Sequence, residues 1–90
     1  MATTNPALTT SWSKIVDAGD EFFLTLPFAT RVSIEVATKD TDTAPSVQGH
    51  VLRGDRLESM NRSLIGPGYV YARVVSAGSV SVVLNAWTPV

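Results

Sequence analysis

The sequence contains no cysteine, so neither a disulfide framework nor a thiolate metal site is open to it. His50 is its single histidine, which argues against a tight zinc or copper site. Charge of either sign is scarce: seven basic and eight acidic residues leave a net charge of −1. No basic stripe runs along the chain to track a phosphate backbone, so nucleic acid is not an expected partner. No apolar run approaches the roughly 20 residues of a membrane helix. The opening MATTNPALTT has neither the basic nor the apolar region of a secretory signal. The expectation is a protein made in the cytosol with no membrane partner. Without staples, a chain of 90 residues must rely on packing, on oligomerisation or on docking to something larger.

What the chain has in quantity is β-branched side chains: twelve Val, three Ile and ten Thr. Such residues suit pleated, half-buried surfaces. Residues 1–10 are Thr-rich, broken by Asn5-Pro6, and lack periodicity. They read as a flexible arm that orders against a partner, with Leu8 its large apolar contact, ahead of a single β domain over 11–90. Within that domain Ser11–Val16 is a short strand, with Trp12, Lys14 and Val16 on one face. Asp17-Ala18-Gly19-Asp20 is a turn. Glu21–Leu26 alternates Phe22, Leu24 and Leu26 against Phe23 and Thr25. Arg31–Thr38 turns Val32, Ile34 and Val36 inward and Arg31, Ser33, Glu35 and Ala37 outward. A polar loop over 39–48 precedes a short strand at Gly49–Arg53. The stretch from Gly54 to Ser63 fits either a helical turn or a loose strand.

The last third carries the clearest pattern. Gly66-Pro67-Gly68 is a turn that launches two strands, Gly68–Val75 and Ser79–Trp87, joined at Ser76-Ala77-Gly78. A three-residue hairpin loop closes on a residue in the left-handed region, which Gly78 tolerates. That register places Val70, Ala72 and Val74 beside Val80, Val82 and Leu84. It leaves Tyr69, Tyr71 and Arg73 on the other face with Ser81, Val83, Asn85 and Trp87. The whole reads as all-β, a small antiparallel sandwich or barrel of about six or seven strands.

No catalytic signature accompanies this pattern. A Gly-x-Ser-x-Gly elbow and a phosphate loop are both missing. His50 lacks an evident partner beyond Asp17 or Asp55. The carboxylates Asp17/Asp20/Glu21 and Asp40/Asp42 fit solvated turns better than calcium ligands or a glycosidase pair. No enzyme and no cofactor are expected. The feature that stands out is the outer face of the expected hairpin, since Tyr, Trp and Arg are the residues enriched at interface hot spots. Tyr69, Tyr71, Arg73, Val83 and Trp87, with Trp12 and Leu8, form the candidate interaction surface. The alternative is that the Trp12 strand or the arm lies over that face.

The segments Trp12-Ser13-Lys14-Ile15-Val16-Asp17-Ala18-Gly19-Asp20, Gly49-His50 and Gly66-Pro67-Gly68-Tyr69-Val70-Tyr71-Ala72-Arg73 together resemble small virion proteins of tailed bacteriophages. The resemblance spans nearly the whole chain and rests on turns and strand starts. It implies an all-β fold, a place on the virion as a head-decoration or tail-associated component, and capsid or tail proteins as partners. It also implies a homo-oligomer, with a threefold ring favoured. It supplies no catalytic residue, and an acidic loop or an Ala/Pro-rich arm, typical of some head-decoration proteins, is absent. The competing reading is a carbohydrate-binding module in which Tyr69, Tyr71 and Trp87 stack on sugar rings.

Overall fold

Alternating apolar side chains make the longer strands, and the computed structural model has ten strands among the described residues. It describes residues 2–26, 32–46, 49–54, 58–75 and 78–90. In chain order the strands are β1 (Ala2–Thr4), β2 (Ala7–Leu8), β3 (Ser13–Val16), β4 (Glu21–Leu26) and β5 (Ile34–Lys39), then β6 (His50–Leu52), β7 (Glu58–Asn61), β8 (Tyr69–Val74), β9 (Val80–Ser81) and β10 (Val83–Trp87). One helical turn, α1 (Arg62–Ile65), follows β7. Two four-stranded antiparallel sheets, ordered β1-β10-β4-β7 and β3-β8-β5-β6, face each other as a small sandwich. A two-stranded ribbon, β2-β9, lies at one side.

The inward-facing residues follow the alternation. Phe22, Leu24, Leu26, Met60 and Leu84 come from one sheet. Val16, Ile34, Val36, Leu52, Val70, Ala72 and Val74 come from the other, and all are buried in a single cluster. Burying a large aliphatic side chain contributes about 1.5–3 kcal/mol, so this cluster is the principal source of stability.

The hairpin expected at Gly68–Trp87 does not form. β8 pairs with β3 and β5, while β10 pairs with β1 and β4, in the opposite sheet. The turn at Gly78 therefore carries the chain across the core as an arch. Gly78 has the positive φ that was expected, +96°, while Ser76 and Ala77 lie outside the described residues. Val70, Ala72 and Val74 do meet Val82 and Leu84, but across the core instead of side by side. Asp17–Asp20 is a second arch: β3 lies in one sheet and β4 in the other, with the Asp20 N–H donating to the Asp17 carbonyl at 3.3 Å.

The arm also differs from expectation. Residues 2–4 pair with β10, and Leu8 is fully buried beside Val80, so Leu8 is core and not an interaction residue. Pro6 accepts from the Val82 N–H at 3.1 Å, and Thr9 accepts from the Val74 N–H at 2.7 Å. The segment thus steps from the edge of one sheet to the other. It does so because Leu8 is the one large apolar side chain in this polar stretch, and the core has room for it.

Two local readings are refined. The register shifts between Lys14 and Val16, a bulge that turns Val16 into the core while Lys14 stays outside. The ambiguous stretch is both of its alternatives in succession. β7 buries Met60, then Asn61 caps α1 by accepting from the Leu64 N–H at 3.1 Å. Leu57 lies outside the described residues.

Candidate docking surface

The outer face of the β3-β8-β5-β6 sheet gathers four of the expected interaction residues. Along β8, Tyr69, Tyr71 and Arg73 point away from the core because Val70, Ala72 and Val74 point into it. Cross-strand register sets Glu35 beside Arg73, Ala37 beside Tyr71 and Lys39 beside Tyr69 on β5. On the other side β3 sets Lys14 beside Tyr71, with Trp12 one step further out.

Around Arg73 the side chains form a layered stack. Its guanidinium lies 4.4 Å from the centroid of the Trp12 ring, and its Nε donates to Glu35 Oε1. Glu35 is only 3 % exposed, although it sits on an outer face; its second oxygen accepts from the Gly49 N–H at 3.0 Å. A buried carboxylate needs a cation and a donor to offset its lost hydration, and it has both. Trp12 and Tyr69 remain half-buried, with one side of the cluster open to solvent.

A second network lies along the same face. The Tyr71 hydroxyl donates to Asp42 Oδ1 at 2.7 Å, and Lys14 Nζ donates to Asp42 Oδ2 at 2.9 Å. Lys14 also pairs with Asp17 at 3.0 Å and sits 5.5 Å from the Tyr69 ring centroid. Asp42 lies in the loop between β5 and β6, whose Pro45 is buried, so this loop is pinned against the sheet at two points. Tyr71 is thereby buried, which corrects its expected place on a free surface.

These contacts move the ionisation of the groups that make them. Hydrogen bonding to Lys14, then to Tyr71, holds the Asp42 carboxyl below its usual range. Asp42, with Asp17 after it, raises Lys14, and Asp42 raises the Tyr71 hydroxyl. The Asp42 contribution to stability is therefore present above the carboxylate range of about 4 and is lost as pH falls through the lowered value. The Lys14 and Tyr71 contributions are complete below about 10 and are lost at higher pH. Asp42→Asn is expected to shrink the difference between the urea midpoints at neutral and strongly acidic pH. Equal differences in the two proteins would mean the pairing contributes nothing.

Val83 and Trp87 are not part of this face. They lie on the outer face of the β1-β10-β4-β7 sheet, so the single aromatic patch expected from the sequence is two patches on opposite sides of the sandwich. Tyr69, Tyr71 and Trp87 accordingly do not form one stacking platform. Phe23, which sequence reasoning passed over, shares the second face and is 44 % exposed. The alternation within Glu21–Leu26 already put it opposite Phe22 and Leu24.

Arg62 was also missed. It donates five hydrogen bonds to main-chain carbonyls: Asp20 at 2.9 and 2.5 Å, Asp17 at 3.1 Å, Gly66 at 3.1 Å and Gly68 at 2.7 Å. Its guanidinium also lies 5.3 Å from the Phe22 ring centroid. The Gly66-Pro67-Gly68 turn is thus tied to the Asp17–Asp20 arch. At Gly68, φ is +112° and a Cβ would lie 2.7 Å from the Lys39 carbonyl oxygen, so glycine is required twice over. Nothing in the local sequence distinguishes Arg62 from a solvated surface arginine.

His50 is exposed on β6, and its candidate partner Asp55 lies outside the described residues. Among the described residues no three His, Cys, Asp or Glu side chains converge as metal ligands. Compared with known protein families, curated proteins and solved structures, the chain matches none of them.

Proposed function

We propose that this chain is a non-enzymatic structural protein of a phage virion that docks on the capsid shell through the outer face of β3-β8-β5-β6. The observation that carries this reading is the Trp12–Arg73–Glu35 stack, with Tyr69 further along the same face against Lys14. Tyr, Trp and Arg dominate the binding energy of protein interfaces, and here they are held in place before any partner arrives. A preformed cluster loses little side-chain entropy on docking. The resemblance of the Trp12–Asp20, Gly49-His50 and Gly66–Arg73 segments to small virion proteins supplies the expected partner. Many copies, each held weakly, would coat a shell stably by multivalency, and a closed threefold ring would present three such faces.

The test is co-sedimentation with purified capsid shells that lack the protein. Wild type and Phe23→Ala are expected to pellet with shells, and Trp12→Ala and Tyr69→Ala to remain largely in the supernatant. Light scattering behind a sizing column is expected to give a trimer. Pelleting with tails and not with shells would shift the proposal to a tail component. Binding to neither, with the variants folded, would overturn it.

A further inference from the structure

The outer face of β1-β10-β4-β7 has a different chemistry from the face just described. Its register rows are Thr3, Asn85, Phe23 and Asn61 across four strands, Val83, Thr25 and Ser59 across three, and Trp87 with Glu21. Glu21 is the one ionisable side chain in those rows, and it stands at their end. Phe23 and Trp87 are diagonal neighbours on adjacent strands, close enough for aromatic rings to form one platform. Beside them stand amide and hydroxyl groups. The Asn85 Oδ1 accepts from Thr3 at 2.5 Å and the Asn61 Oδ1 caps α1. In both residues the Nδ2 has no partner among the described residues. The Thr25 hydroxyl has none among them either.

We propose that this face binds a neutral oligosaccharide, with Phe23 and Trp87 stacking on sugar rings and Asn85, Asn61 and Thr25 hydrogen-bonding sugar hydroxyls. The neighbouring rings and the unpartnered amide and hydroxyl groups match the apolar face and the hydroxyl rim of a sugar ring. The charge disfavours a different class: with no cation in the rows and a carboxylate at their end, an acidic glycan or a phosphate finds no counter-charge there. What remains is uncharged, hydroxyl-rich and flat on one side. Because the two faces point in opposite directions, a copy docked through Trp12 and Tyr69 would present Phe23 and Trp87 outward.

The experiment is a titration of the ¹⁵N-labelled full chain with cellohexaose, maltohexaose, N-acetylchitohexaose and, as the acidic counterpart, a hyaluronan hexasaccharide. At least one neutral hexasaccharide is expected to shift the Trp87 indole N–H and the Phe23 and Asn85 amides, with the hyaluronan fragment inert. Phe23→Ala, whose side chain is outside the core, is expected to weaken that binding about tenfold or more. Trp87→Phe keeps a ring and is expected to weaken it less. No shift with any neutral probe at about 10 mM overturns the proposal. So do shifts confined to Trp12 and Tyr69, unchanged binding in Phe23→Ala, or preference for the hyaluronan fragment.

Discussion

Arg62→Ala is expected to lower the unfolding free energy by about 3 kcal/mol, one of the two largest effects expected of a single substitution in this protein. In a domain this small that corresponds to a fall in Tm of about 10–20 °C. The physical reason is where the five hydrogen bonds go. All end on main-chain carbonyls, of Asp17, Asp20, Gly66 and Gly68, in two segments that are far apart in sequence. Main-chain groups cannot be mutated away or re-aimed, so removing the guanidinium leaves several carbonyls short of donors in a part-buried site. Arg62→Lys restores the charge but not the planar fork, and it is expected to recover less than half of the loss. Urea denaturation of the three proteins measures this directly. If Arg62→Ala and wild type share a midpoint, the clamp is a bystander and the arches are held by packing alone.

The second large effect is an asymmetry between the partners of one ion pair. Arg73→Met is expected to cost about 3–4 kcal/mol, and Glu35→Gln about 1–2 kcal/mol. The Glu35 side chain is 4 % exposed and that of Arg73 35 %. Take away the arginine and, among the described residues, a buried carboxylate keeps only the Gly49 N–H as a partner. Neutralise the glutamate and the guanidinium still reaches water and the Trp12 ring. The double variant Glu35→Leu with Arg73→Met is expected to be more stable than Arg73→Met alone, since it removes the uncompensated charge. Equal losses from both single variants would mean that Glu35 has access to solvent, and the layered stack would then be no preformed docking element.

Much of the candidate surface is legible in the residue pattern alone. Strand alternation places Tyr69, Tyr71 and Arg73 on one face because Val70, Ala72 and Val74 must take the other. The surface expected from the sequence includes Trp12, but the pairing that brings it and Lys14 to that face is not legible, since it depends on β3 lying beside β8 across more than fifty residues of chain. The burial of Glu35 is equally hidden. On the strand it occupies an outward position, and it is the tertiary neighbours, Arg73 on β8 and the Gly49 segment entering β6, that meet its carboxylate. Arg62 gives no signal at all, because its partners are carbonyls, which every residue carries.

By itself, then, the sequence determined the fold class and which side chains face inward: Phe22, Leu24, Leu26, Ile34, Val36, Val70, Ala72, Val74, Val82 and Leu84 are buried as their alternation requires. Tertiary structure alone decided which strands lie side by side. A two-residue period records in against out, and a short turn with a positive-φ glycine serves a hairpin or an arch equally well. In a hairpin the two apolar faces lie next to each other in one sheet; in an arch they meet across the core. Both bury the same side chains and gain nearly the same free energy from doing so. The choice fell to the partners available along each edge, with β1 and β4 taking β10 while β3 and β5 took β8. That choice separated Trp87 from Tyr69 and made two surfaces where the alternation had drawn one.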